Sequence, residues 1–120
     1  MEIPILRQGK VLIATLQAAV TDVDLMRLRT ALVQEVVRGR SRGVIVDVTA
    51  IDVMDSFASR VLQDLAHMIR LRGAETVIVG IQPDVAFAMV QLGLRLESVV
   101  TALDLEEGMD YLNREFKTLA

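Results

Sequence analysis

Apolar residues along this chain follow two rhythms, short β-branched runs and stripes at helical spacing, which predicts strands separated by helices. Ile3 to Leu6 is a short apolar stretch whose Pro4 lacks a backbone donor, so it belongs at a sheet edge. Gln8-Gly9-Lys10 reads as a turn into a strand from Val11 to Leu16, and the two form an antiparallel hairpin. Thr21 followed by Asp24 matches a helix start, and Leu25, Leu28, Leu32 and Val36 mark one face of a helix of about four turns, ending near Gly39. Val44 to Val48 is apolar on both faces, as a central covered strand requires, with Asp47 interrupting it. Ala58, Val61, Leu62, Leu65 and Ile69 then stripe a helix that lasts until Gly73. Thr76 to Val79 is a further strand, Pro83 opens a helix in the first-turn position, and Gly93 closes it. Val99-Val100 adds a brief edge strand, after which Asp104 caps a last helix carrying Leu105, Met109, Leu112 and Phe116 on one side, weakened locally by Gly108. The expected fold is α/β: one domain over residues 1–120, with a mixed, mostly parallel sheet of about four or five strands and about four helices.

The informative stretch runs from Gly43 to Leu62, where the central strand enters an acidic loop holding Asp52 and Asp55 and then a helix. Ser56 is a good N-cap residue just before the apolar stripe, so the strand delivers a serine hydroxyl to an exposed helix start. Ile51-Asp52-Val53-Met54-Asp55-Ser56-Phe57 resembles the phosphorylation segment of STAS domains, the anti-sigma-factor antagonist fold, and in particular that of small single-domain members of the bacterial stressosome. Gly80-Ile81-Gln82-Pro83 running on to Leu92-Gly93, and the segment from Thr101 to Gly108, resemble the same group. The likeness extends from Ile3 to Phe116.

The resemblance implies that Ser56 is phosphorylated by a serine kinase, with Ser59 the weaker candidate, and that Asp52, Asp55 and Phe57 shape the kinase-recognition loop. It further implies a non-catalytic protein without cofactor or metal. The unphosphorylated form would hold a serine-protein kinase of the switch type inside a large assembly with longer STAS paralogues that carry sensor domains. Phosphorylation would release the kinase to a stress or sigma-factor pathway. This chain has no sensor extension, so perception is expected elsewhere; it also has Ser56 and Gln82 where the longer paralogues more often have Thr and Arg. The alternative is a stand-alone anti-sigma-factor antagonist that binds an anti-sigma kinase directly, but that group tends to have a small residue after its serine, whereas Phe57 follows here. A STAS tail of an anion transporter would require membrane helices that this sequence lacks.

Composition narrows the classes. Of the 120 residues 52% are hydrophobic but only 3% aromatic, so the core is aliphatic with Met as filler, and apolar surface is left for partners, a homodimer among them. A net charge of −3 argues against nucleic acid and anionic membranes, and the absence of Cys with no signal-peptide pattern fits the cytosol.

Other chemistry is weaker. Asp52 and Asp55 as a catalytic pair or metal ligands would need a second cluster, and none occurs. His67, the only histidine, lies on the polar side of its helix and about 16 Å from Ser56 along it, too far for a hydrolytic dyad. Arg38, Arg40 and Arg42 follow a helix end, where cations are stabilising anyway, and are given no site. No glycine-rich phosphate loop is present. A phosphate on Ser56 would gain about 0.3–1 kcal/mol from the helix start. Each nearby exposed carboxylate would take back about 1 kcal/mol. The fold should therefore tolerate a modification that a docked partner, forced to desolvate it, would not.

Overall fold

The computed structural model describes residues 3–97 and 99–116, so the ends of the expected 1–120 domain lie outside the described residues. The elements run β1 (Ile5–Gln8), β2 (Val11–Thr15), α1 (Asp22–Gly39), β3 (Gly43–Asp47), α2 (Ser56–Leu71), β4 (Glu75–Val79), α3 (Pro83–Gln91), β5 (Val100–Ala102) and α4 (Leu105–Glu115). They form a five-stranded sheet in the order β1-β2-β3-β4-β5, with β1 antiparallel to β2 and the remaining neighbours parallel. The hairpin and the central strand form as the apolar rhythm indicated, while the edge strands lie further along the chain, β1 at Ile5–Gln8 where Ile3 to Leu6 was expected and β5 at Val100–Ala102 where Val99-Val100 was. α1 begins after Thr21 and ends at Gly39, as its sequence marks indicated, and its first turn is held by the expected capping box. The Thr21 hydroxyl accepts from the Asp24 amide and the Asp24 carboxylate accepts from the Thr21 amide.

Strand alternation divides the core in two. Leu12, Ala14, Val44, Val46 and Ile78 face α1, α2 and α3, meeting Leu25, Leu28, Leu32, Val36, Leu62, Leu65, Ile69, Val85 and Met89. Val11, Ile13, Ile45, Val77 and Val79 face the other way, where α4 supplies Leu112. The last helix keeps most of its expected stripe, with Leu112 buried and Met109 and the cap residue Phe116 packed against the same cluster, while Leu105 is exposed and Gly108 lies buried in the seam. Gly108 is there for contact distance. A Cβ at that position would lie 2.8 Å from Val79 Cγ1, and one on Gly43 would lie 2.7 Å from Leu112 Cδ1. One helix can cover this face because both glycines let it approach closely.

Two outcomes follow from this packing. In an isolated helix Gly108→Ala would stabilise by about 0.5–1 kcal/mol, but here overpacking against a rigid buried valine, about 1–3 kcal/mol, outweighs it. Chemical denaturation should show a net loss of about 1 kcal/mol. The second outcome concerns Asp24, whose carboxyl is held below the ordinary carboxylate range chiefly by the Thr21 backbone amide. Its contribution is complete above the ordinary value and disappears as pH falls through the depressed one. Asp24→Asn, which can still accept that bond but does not titrate, should flatten the acid limb of a melting-temperature profile.

Candidate functional site

The four parallel strands end at one pole of the sheet, and the loops that leave them there build the candidate site. β3 passes into the loop 48–55, whose path is fixed by two buried apolar anchors, Ile51 and Met54. Between and beyond the anchors, Asp52, Val53, Asp55, Ser56 and Phe57 are exposed, Val53 at 75%. Ile51 and Met54 thus turn the loop inward while the intervening side chains face solvent.

Ser56 lies at the first residue of α2, but it is not the cap. Asp55 holds that position, in extended backbone, and its carboxylate accepts from the Ala58 amide at 2.8 Å. The expectation that Ser56 caps the helix is therefore corrected: both residue types cap well, and the anchors place Asp55 one step earlier at the turn. The Ser56 hydroxyl is left exposed at the helix start, with no structural duty among the described residues. Ser59 is different, 2% exposed with an Oγ that makes no hydrogen bond, and a kinase would reach it only by unwinding the first turn. His67 is exposed further along the helix.

A buttress that sequence reasoning missed holds the loop from below. Asp47 Oδ1 accepts from both the Thr49 amide, at 2.9 Å, and the Thr49 hydroxyl, at 2.6 Å. Gln82 Nε2 donates to the Thr49 carbonyl at 2.6 Å, tying the start of α3 to the same loop. Gly80, at a φ of +82°, sits where a side chain would strike the Thr49 hydroxyl. The Asp47 that interrupts an otherwise apolar strand was the available signal, since an acid ending a central strand needs partners. Leu103, following β5 at the same pole, is exposed as well.

Among the described residues no group of three or more His, Cys, Asp or Glu could hold a metal, and no helix is long and apolar enough to cross a membrane. The geometry offers an exposed hydroxyl, flanking carboxylates and solvent-facing apolar side chains on a braced loop.

Comparison with known proteins bears on the family and the fold. The STAS domain model matches residues 2–108. The RsbT co-antagonist protein RsbRA of Bacillus subtilis is 32% identical over 83 residues, 69% of this chain but only 30% of RsbRA, so the chain spans less than a third of that relative's length. RsbS of Moorella thermoacetica, solved as a serine-to-glutamate variant, superposes with a TM-score of 0.84 at 27% identity, covering 98% of this chain and 99% of that one. A chain from the molecular architecture of the stressosome, a signal integration and transduction hub, superposes at 0.79 with 29% identity over 93% of this chain and 97% of its own.

The capping geometry makes a direct test. Asp55→Ala should cost about 1 kcal/mol in thermal or urea unfolding, whereas Ser56→Ala should stay within about 0.5 kcal/mol of the parent. The reverse order would mean that the serine is the cap.

Proposed function

Since this chain belongs to the STAS domain family, we propose that it is a phosphorylation-controlled docking protein, acting as one domain over residues 1–120 and without catalysis of its own. Unphosphorylated, it holds a serine-protein kinase of the switch type, RsbT-like, and phosphorylation of Ser56 releases that kinase to a stress or sigma-factor pathway. The observation that carries this reading is the exposed Ser56 hydroxyl at the start of α2, relieved of capping by Asp55 and surrounded by exposed Asp52, Val53 and Phe57. A phosphate there sits on the helix amides without disturbing the core, yet adds a charge of about −1.5 to −2 that any docked surface must desolvate. Burial of Ser59 favours Ser56 as the acceptor.

The likeness to RsbS and to a stressosome chain supports assembly with longer RsbR-like STAS proteins that carry sensor domains, in the cytoplasm. Exposed Phe87, Val90 and Leu92, on and just beyond α3, are apolar surface that supports a homodimeric unit. In this reading Asp52, Asp55 and Phe57 form the kinase-recognition loop.

Calorimetric titration with the kinase, run beside thermal melts, tests the switch. Ser56→Ala should bind as the parent does, while Ser56→Asp should bind about tenfold weaker or more, at least about 1.4 kcal/mol, with both variants folded. The phosphoprotein, carrying more charge than one carboxylate, should bind weaker still. An aspartate variant that binds as tightly as the parent overturns the role of Ser56.

A further inference from the structure

At the pole opposite Ser56, where parallel strands begin and helices end, lies a half-open hollow of about 730 Å³. That is the size of a small-molecule site. Lys10, Arg40, Arg42 and Arg72 line it together with apolar side chains that include Leu112 and Phe116, and no carboxylate is among the described lining residues. In a chain of net charge −3, four cations around one apolar hollow are a local reversal of the overall field.

Favourable placement at helix ends accounts for part of this, since Arg40 caps α1 and Arg72 caps α2. It does not account for Lys10, in the hairpin turn, or for Arg42, just before β3. Their backbones are pinned side by side: the Lys10 carbonyl accepts from the Arg42 amide at 2.8 Å and the Gly43 amide at 3.2 Å. The Arg42 guanidinium also donates to the Gly73 carbonyl at 3.2 Å, whereas Lys10, Arg40 and Arg72 form no ion pair among the described residues. Arg40 carries a second clue. The chain leaves α2 and α3 through glycines in the left-handed region, Gly73 and Gly93, but leaves α1 through Arg40 at a φ of +50°. An arginine stands where glycine fits with least strain, and it lines the cavity.

We propose that this hollow binds a small phosphomonoester-type dianion carried on an apolar body, with Lys10, Arg40, Arg42 and Arg72 around the anion and the half-buried Met109 and Phe116 side chains against the body. The site is independent of Ser56 and of the kinase reading.

Phenyl phosphate is the probe, titrated into the full isotope-labelled chain and followed by amide chemical shifts. Saturable shifts at residues 10, 40–43 and 113 are expected, with a Kd of about 1 mM or tighter. Inorganic phosphate, which lacks the apolar body, should bind about tenfold weaker or more, and benzyl alcohol, which lacks the charge, should leave these amides unmoved. Arg40→Gly suits the left-handed backbone and should keep or raise the melting temperature while weakening phenyl phosphate about tenfold. Arg72→Gln, outside any left-handed position, should weaken it in the same way. Parental affinity in both variants overturns the proposal, as do phosphate or benzyl alcohol matching phenyl phosphate, or shifts that never saturate.

Discussion

Parallel pairing of β2 to β5 is the constraint from which the rest of the molecule follows. Parallel neighbours must be joined by crossovers, so every strand from β2 onward ends at one pole and every helix begins there. Helix starts are electropositive and helix ends electronegative, and the sequence answers each with the complementary charge. Asp22, Asp24, Asp84, Glu106 and Glu107 occupy first turns and Asp55 a cap, while Arg38, Arg70 and Arg114 occupy last turns and Arg40 and Arg72 caps. The domain has an acidic pole and a basic pole because four helices share a direction.

That polarity defines what each pole can do. The acidic pole offers a serine at a helix start, where amides favour a phosphate and carboxylates oppose it, two effects of similar size. A charge added there would leave the fold in place. Stability comes from elsewhere, from β3 with Val44, Ile45 and Val46 fully buried, and from the two aliphatic layers on either side of it. Separating the exposed loop from the core in this way keeps a change at that surface from reaching the layers that hold the fold.

The buttress beneath the loop links the two. Asp47 closes the central strand, fixes Thr49 and, with Gln82 from the next crossover and the side-chain-free Gly80, holds the loop in one path. Ile51 and Met54 complete it from the core side. A surface recognised by another protein benefits from such bracing, since less conformational freedom is lost on docking.

Much of this was legible in the sequence, because period and punctuation are local properties. Short β-branched runs, the helical stripes of α1 and α2, the Thr21–Asp24 capping box and Pro83 at a first turn each specify an element through interactions a few residues long. The exposed serine at a helix start was readable for the same reason. What depended on distance between remote segments was not. Asp55 and Ser56 are equally good caps, and only the burial of Ile51 and Met54 gave the position to Asp55. Gly108 read as a weak point in a helix, when its lack of a side chain is what lets α4 reach Val79. Arg40 and Arg42 read as ordinary helix-end cations until β2, β3 and β4 paired in register and carried Lys10 and Arg72 to their side. Local hydrogen bonding and hydrophobic period are encoded within one or two turns of chain, whereas contact across a sheet exists only once packing has decided which segments meet.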